Sequence, residues 1–164
     1  KISLFEGGIH VPYFARWPAR IPQGTVVDAP VHHFDLYATA AAAGGASLPT
    51  DRKMDGVDLV PYVSGKNKER PHQTLFWRAD HIWAMRDGDY KLILSTRDGW
   101  AELHNLITDQ SEEINLKEQM PALYEKLHGE HEDWQKNELR KKPLWPRIMD
   151  KRFVLDGKEY LFPA

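Results

Sequence analysis

The residues of this chain that could do chemistry are mainly histidines and carboxylates. In the run HGEHED, His128 and His131 stand three positions apart, so on a helix they share a face and could in principle bind a metal ion. Two ligands do not complete a metal site, and His131 also lies on the apolar face of its helix, which favours a packed histidine. The pair His32-His33 has no third ligand nearby, and the same interpretation applies.

The composition excludes several classes of function. The chain has no cysteine, so disulfides, zinc-thiolate sites and a thiol nucleophile are excluded within it. Its formal charge is only -2, and no net basic field exists to hold nucleic acid or an anionic membrane. No apolar run approaches the roughly 20 residues of a membrane span, and the first residues have no signal-peptide pattern. We therefore expect a globular chain with neither a nucleic-acid nor a membrane partner.

The first part of the chain reads as loops around one helix. The apolar run from Ile9 to Phe14 predicts a short strand, although Pro12 interrupts it. Aromatic and alanine residues at helical spacing predict a helix from about His33 to Ala43, which the paired glycines that follow should end. A helical turn is expected within residues 58–63, and a subdomain boundary near residue 71.

In the second part of the chain the pattern of apolar residues changes to short strand-like runs. Four short strand-like runs are separated by turn residues that tolerate positive φ, which predicts an antiparallel meander; the runs are TLFWR, HIWAMR, YKLILS and AELHNL. The stretch from Asp109 to Glu112 has the form of a capping box. Pro121 could occupy the first position of a long helix that ends near Leu139.

The long helix should pack on the sheet. Its apolar face is formed by residues at helical spacing, namely Met120, Leu123, Tyr124, Leu127, His131 and Trp134. The run KKPLWPRIMD should be irregular. After it, Asp156-Gly157 between two β-rich runs is typical of a hairpin.

Several segments together resemble the sulfatases of the formylglycine class. Residues 1–12 resemble the pattern K-G-T-x-x-E-G-G-x-R-x-P, and the likeness continues through Trp17-Pro18 and the run DGVDL. Further on, the runs WAMRDGDYKLI and ELHNL, with Asp109 and the run EEINL, resemble the family's small C-terminal domain. Because these segments occur in a fixed order over about residues 1–140, we interpret the chain as a member of the family.

The resemblance implies an α+β fold in two parts. Residues 1–70 would be the end of an α/β domain like that of alkaline phosphatase. Residues 71–164 would be a small C-terminal subdomain in which an antiparallel sheet of about four strands packs against one long helix. The family's nucleophile is a formylglycine made from Cys or Ser in a C-x-P-x-R type motif, and its calcium is held by upstream Asp and Asn residues. No such motif occurs in this chain, so we expect no metal ligand in it.

By this resemblance Lys1 matches the family lysine that contacts the sulfate and the leaving-group oxygen. Cleavage of a sulfate ester develops negative charge on these oxygens, and an ammonium with three donors stabilises it. The glycines of Glu6-Gly7-Gly8 would shape the loop behind Lys1. His10 stands where the family usually has Arg, and this departure weakens any role carried over to His10.

His81 is the predicted substrate-binding residue. It stands at the start of a strand, in the region from which the family's small domain reaches toward the substrate pocket. The function expected is hydrolysis of an aryl sulfate or a sulfated carbohydrate, with calcium and formylglycine supplied by a missing N-terminal part, and with the fragment inactive alone. Two alternatives remain: a related phosphodiester or phosphonate monoester hydrolase, or a non-catalytic binding module. The family leads us to expect a periplasmic, secreted or lysosomal enzyme.

Overall fold

The chain divides into two compact units. The computed structural model describes residues 3–138 in full, together with the backbone of strands at 152–155 and 158–161. One unit, the helical unit, runs from His10 to Leu75. The other, the sheet unit, combines the segment ending at Ile9 with the residues from Phe76 onward. The glycine-containing segment before Ile9 therefore belongs to the sheet unit.

The sheet unit begins with one turn of helix, and two further helices organise the helical unit. These helices are α1 (Glu6–Ile9), α2 (Asp35–Ala43) and α3 (Val60–Val63). The helix and the helical turn predicted for the helical unit are thus confirmed. Gly45 adopts a φ of +70°, and the Ala46 N–H donates a 2.8 Å hydrogen bond to the Ala41 carbonyl. This is the backbone geometry in which paired glycines commonly end a helix.

The second part of the chain forms a four-stranded sheet in chain order. The strands are β1 (Thr74–Ala79), β2 (Ile82–Asp87), β3 (Tyr90–Ser95) and β4 (Ala101–Asn105). β2, β3 and β4 pair antiparallel, as the meander prediction requires. Each connection contains a residue of positive φ: Asp80 at 55°, Gly88 at 57° and Gly99 at 72°. The predicted α+β fold is therefore confirmed.

The strand register separates two kinds of side chain. One row of paired positions is apolar and joins Met85, Leu92 and Leu103. The adjacent row is basic and joins Arg86, Lys91 and His104. Because successive side chains of a strand point to opposite faces, the two rows lie on different faces of the sheet.

The apolar face packs against α4 (Pro121–Asn137), the long helix that the sequence predicts. Leu127 of α4 is fully buried in a cluster with apolar residues of the sheet, Trp83, Met85, Leu92, Leu94 and Leu103. The Phe76 ring stacks on Trp134 with ring centroids 4.5 Å apart. Each buried side chain of this size contributes about 1.5–3 kcal/mol, so this cluster is the main core of the sheet unit.

The opposite face is covered by residues 3–9. Leu4 is 8% exposed and packs with Ala84 and Ile93 of the sheet. Phe5 stacks on Trp100 with ring centroids 6.4 Å apart. The sheet is thus covered on both faces, because a short segment from the start of the chain lies where a second helix would otherwise be needed.

One predicted strand is absent. Residues 10–14 form no strand, and Ile9 instead ends α1. Pro12 cannot donate to a strand ladder. Val11 and Phe14 are 69% and 92% exposed, so in the described part of the chain this apolar run has no sheet on which to pack.

The predicted capping box is also wrong. No helix begins after Asp109; its carboxylate accepts backbone N–H groups of Glu113 and Ile114 at 3.1 and 2.8 Å within a loop. Glu112 has a φ of +58°, which is incompatible with a right-handed helix. The residue pattern misleads because an aspartate can satisfy successive N–H groups in a turn as well as at a helix start.

The terminal hairpin is confirmed at the level of the backbone. β5 (Arg152–Leu155) pairs antiparallel with β6 (Lys158–Leu161). The predicted turn residues Asp156-Gly157 and the predicted irregular run 141–150 lie outside the described residues. Among the helices that the structure describes, none has both the length and the apolar character that crossing a membrane requires.

Candidate functional site

The predicted catalytic residue, Lys1, lies outside the described residues. The structure does describe residues 3–9, which follow it and include the Glu-Gly-Gly of the family pattern. Ser3 accepts the Phe5 N–H through its hydroxyl oxygen at 3.1 Å. The Gly8 N–H donates to the Phe5 carbonyl at 2.8 Å. Local hydrogen bonds therefore fold this segment into a tight turn on the sheet.

A buried ionic cluster fastens this turn to the sheet. The Lys91 Nζ lies 2.7 Å from the Glu6 Oε1 and 2.9 Å from the Glu112 Oε1. The Glu6 backbone N–H also donates to the other Glu112 carboxylate oxygen. The side chain of Lys91 is 0% exposed, that of Glu6 11% and that of Glu112 2%. One ammonium thus bridges two carboxylates from distant parts of the sequence, which we call the Lys91 cluster.

The fold explains how each member of the Lys91 cluster reaches it. Lys91 lies on β3 between residues whose side chains point toward α4. Its own side chain therefore points to the opposite face of the sheet, which residues 3–9 cover. Glu112 adopts its positive φ in the loop after β4, a backbone conformation that costs about 1–2 kcal/mol for a residue with a side chain. Its carboxylate then meets Lys91 and the Glu6 N–H. The Glu6 N–H bond to this carboxylate contributes about 1.5–3 kcal/mol as a charged hydrogen bond, and together with the ion pair to Lys91 it offsets that strain.

Gly8 permits the turn that carries Glu6. A Cβ at position 8 would overlap the Ser3 carbonyl oxygen and lie 2.9 Å from the Ser3 carbonyl carbon. A Cβ at Gly7 would meet no atom within 4 Å. The two glycines of the pattern therefore have different roles, since only the second is needed for close backbone approach.

His81, the predicted substrate-binding residue, lies at the connection between β1 and β2. Its Nδ1 is 2.8 Å from the Asp80 Oδ2, and Arg97 donates to its Nε2 at 2.7 Å. The Arg97 and Asp98 side chains are 63% and 48% exposed, and that of His81 is 22% exposed. This end of the sheet presents an imidazole, a guanidinium and carboxylates to solvent, and we call it the His81 patch. Such groups can hydrogen-bond sugar hydroxyls or pair with anions.

A second buried polar network lies in the helical unit. The Asp35 carboxylate is 0% exposed and lies 2.8 and 2.9 Å from the His72 Nε2. It also accepts the backbone N–H groups of His32 and Val57 at 2.7 and 3.0 Å. Burial, and then the neighbouring His33, lower the pKa of His32 to about 4. Asp35 therefore joins three separate parts of the chain, a structural role that the sequence does not reveal.

His131, His32 and His33 make the packing contacts that the simpler interpretation predicts. His131 is 2% exposed and packs edge-on against Trp83, with ring centroids 5.2 Å apart. Burial lowers its pKa. His32 and His33 are in ring contact at 4.3 Å. Within residues 3–138, no three histidine, aspartate or glutamate side chains come together in a way that could hold a metal ion.

The Lys91 cluster is the part of the site that sequence reasoning missed. One signal was present, since Lys91 stands alone among apolar residues in the run YKLILS. A charge in such a strand is rarely buried without a partner. Its partners could not be identified, because Glu6 and Glu112 are distant in sequence and Glu112 resembled a capping residue.

The described fold and the packed glycine turn fit the C-terminal region of a sulfatase, and a comparison with protein families agrees. Residues 1–137 match the family described as N-sulphoglucosamine sulphohydrolase, C-terminal. The chain belongs to this sulfatase family, so the resemblance seen in the sequence is confirmed.

Individual relatives are also sulfatases. The chain is 43% identical to human steryl-sulfatase over 76 residues, which is 46% of this chain and 13% of that protein. It is 36% identical to the N-acetylgalactosamine-6-sulfatase of Canis lupus familiaris over 104 residues, 62% of this chain and 20% of that protein. The chain therefore spans only a small part of the relatives it matches.

A solved structure extends the comparison to three dimensions. The crystal structure of Ps i-CgsB in complex with k-i-k-neocarrahexaose matches with a TM-score of 0.60 at 27% identity. The match covers 72% of this chain and 27% of that one.

Proposed function

We propose that this chain is the C-terminal part of an enzyme that hydrolyses sulfate esters. The observation that carries the proposal is the family match over residues 1–137, which includes the segment that the Lys91 cluster fastens to the sheet. Lys1, five residues before Glu6 in the sequence, would stabilise negative charge on the sulfate and on the leaving-group oxygen. A donor of this kind in a dry site is worth about 3–4 kcal/mol of transition-state stabilisation.

The remaining catalytic groups would come from the part of the enzyme that precedes this chain. Formylglycine would supply the nucleophile and calcium the binding of sulfate, and the residues described here do not form a site for either. Residues 1–70 would complete the large α/β domain, and residues 71–164 would form the small subdomain. Exposed apolar side chains support the first of these assignments, because Phe14 and Val26 are 92% and 82% exposed and exposed apolar surface of this kind is suited to burial against another part of the protein.

The substrate would be a sulfated carbohydrate or an aryl sulfate. Ps i-CgsB, at 27% identity, was crystallised with k-i-k-neocarrahexaose, and N-acetylgalactosamine-6-sulfatase is a relative. The His81 patch would contact the part of the substrate beyond the sulfate, with Arg97 as the donor and the His81 ring, which accepts from Arg97, beside it. Enzymes of this family lead us to place the protein in the periplasm, the lysosome or outside the cell.

A comparison of the 164-residue chain with the full-length protein tests the proposal. With a chromogenic aryl sulfate and calcium, we expect turnover by the full-length protein and none by the chain alone. In the full-length protein, Lys1→Ala should lower kcat about 100-fold or more, whereas Lys66→Ala, in an exposed loop, should leave it unchanged. Turnover by the chain alone, or equal effects of the two substitutions, would show the assignment of Lys1 to be wrong.

The role of the His81 patch needs a separate test. His81→Ala should raise the KM for a sulfated oligosaccharide more than the KM for a small aryl sulfate, because only the larger substrate extends beyond the sulfate. Lys126→Ala, which removes an exposed surface lysine from α4, is the control. If His81→Ala changes the KM for both substrates by the same factor, the contact is refuted.

A further inference from the structure

We infer that Glu6, Lys91 and Glu112 are positioning residues for catalysis: the Lys91 cluster holds the turn of residues 3–9 in the one place on the sheet from which the preceding lysine can act. This inference rests on the proposed function. It gives Lys91 and Glu112 of the small subdomain a task in catalysis, beside the substrate contact proposed for the His81 patch.

The geometry of the cluster suits a fixed anchor. Both contacts of the Lys91 ammonium are short, at 2.7 and 2.9 Å, and its side chain is wholly buried. Glu112 receives the Glu6 backbone N–H as well as the ammonium. The backbone of Glu6, and not only its side chain, is therefore tied to the sheet unit.

Contacts of the two residues before Glu6 restrict the turn further. Leu4 packs on Ala84 and Ile93. Phe5 stacks on Trp100 and meets the edge of the His104 ring at 6.3 Å. His104 is itself held, since its Nδ1 lies 2.9 Å from the Ile114 carbonyl oxygen. The turn is thus fixed by ionic, backbone and aromatic contacts to β2, β3 and β4 and the loops that follow β3 and β4.

A fixed turn matters because the proposed lysine acts by position. Its ammonium must meet both a sulfate oxygen and the leaving-group oxygen in the transition state, and a displacement of about 1 Å can cost about 100-fold in rate. The cluster lies on the opposite face of the sheet from α4, and the Lys91 and Glu112 side chains are 0% and 2% exposed. It therefore acts through the turn alone.

The test compares two buried substitutions on opposite faces of the sheet in the full-length enzyme. Lys91→Met removes the ammonium of the cluster, and Leu127→Ala opens a cavity under α4 and is the matched control for lost stability. Each variant is assayed with a chromogenic aryl sulfate well below its own melting temperature. Hydrogen exchange is measured on the peptide containing residues 3–9.

The two variants should differ in kcat and in local exchange. Lys91→Met should lower kcat on the order of 100-fold, leave KM within about twofold, and speed exchange in residues 3–9. Leu127→Ala should lower the melting temperature but leave kcat and this exchange close to wild type. Lys91→Arg, which keeps the cation, should retain more activity than Lys91→Met. If Lys91→Met does not fold, Glu6→Gln, which keeps the contact of Lys91 with Glu112 and the Glu6 N–H bond, should also lower kcat, by a smaller factor, without change in KM.

Two results would overturn the inference. Equal kcat values for Lys91→Met and Leu127→Ala would show that the cluster only stabilises the fold, and unchanged exchange in residues 3–9 would show that it does not hold the turn. A wild-type protein that is inactive on sulfate esters would instead refute the proposed function, and the catalytic part of this inference with it.

Discussion

Adjacent alanine substitutions at Gly7 and Gly8 should change stability in opposite directions. Both residues lie in α1 and in the same short pattern, and both substitutions add one methyl group. Gly8 faces the Ser3 carbonyl group, whereas a Cβ on Gly7 would meet open space. The pair therefore separates the steric requirement of the turn from the general effect of replacing glycine.

The two magnitudes follow from these environments. Gly7→Ala should raise the free energy of unfolding by about 0.5–1 kcal/mol, because alanine loses less backbone entropy in a helical conformation. Gly8→Ala forces a methyl group onto backbone atoms of Ser3 that cannot rotate away, and overpacking of this kind costs about 1–3 kcal/mol. The turn would also shift relative to Glu6 and weaken the Lys91 cluster. The two variants should thus differ by about 1.5–4 kcal/mol.

Urea denaturation followed by tryptophan fluorescence measures this difference. Trp100 reports on the turn, since it stacks on Phe5. The midpoint should rise slightly in Gly7→Ala and fall clearly in Gly8→Ala, with equal m-values showing that the denatured state is unchanged. Shifts of the same sign, or midpoints within error of each other, would refute the described packing of residues 3–9.

Three further substitutions test the buried polar groups. Lys91→Met leaves two buried carboxylates without their cation and should lower the free energy of unfolding by about 3–5 kcal/mol; a loss below about 1 kcal/mol in urea denaturation would contradict the buried cluster. His131→Phe should raise the melting temperature, because neither ring nitrogen of His131 has a hydrogen-bond partner among the described residues and a phenyl ring can keep the contact with Trp83; a fall would show that the imidazole has an unseen partner. Because the pKa of His32 is lowered from 6.5 to about 4, the unfolded chain takes up a proton that the folded chain does not, and stability should fall as the pH drops from about 6.5 toward 4. His32→Phe should flatten that part of the stability curve, and an unchanged slope would contradict the assignment.

The regular elements could be predicted because their signals are local. Turn residues that tolerate positive φ separate the four runs of the meander, and the apolar face of α4 repeats at helical spacing. Pro121 marks the start of that helix in the sequence and in the structure. Local propensity and packing agree in these elements, so the sequence alone is sufficient to place them.

The two wrong predictions, the strand and the capping box, depend on contacts that are not local. The run from Ile9 to Phe14 has the composition of a strand, but a strand also needs a neighbour with which to pair, and the described residues offer it none. The Asp109 pattern is satisfied by a loop, because its carboxylate accepts the same kind of N–H group that it would accept at a helix start. In both cases the deciding contacts are not in the local sequence.

In the candidate site, too, the local features could be predicted from the sequence and the long-range contacts could not. The family resemblance drew attention to the Glu-Gly-Gly pattern and to His81, and the structure gives each a definite environment. The resemblance could not reveal that Glu6 contacts Lys91, since 85 residues separate them in the sequence. Nor could it show that Asp35 meets His72, 37 residues away. Long-range pairing of buried charges depends on topology, which no local pattern contains.

The rate of sulfate release by the full-length protein tests the central claim most directly. The initial rates on a chromogenic sulfate monoester, a phosphate diester and a phosphonate monoester with the same leaving group should be compared at equal concentrations with calcium. We predict that the sulfate ester is cleaved fastest and that Lys1→Ala removes most of this activity. Faster cleavage of the phosphate or phosphonate ester, or full activity in Lys1→Ala, would contradict the account.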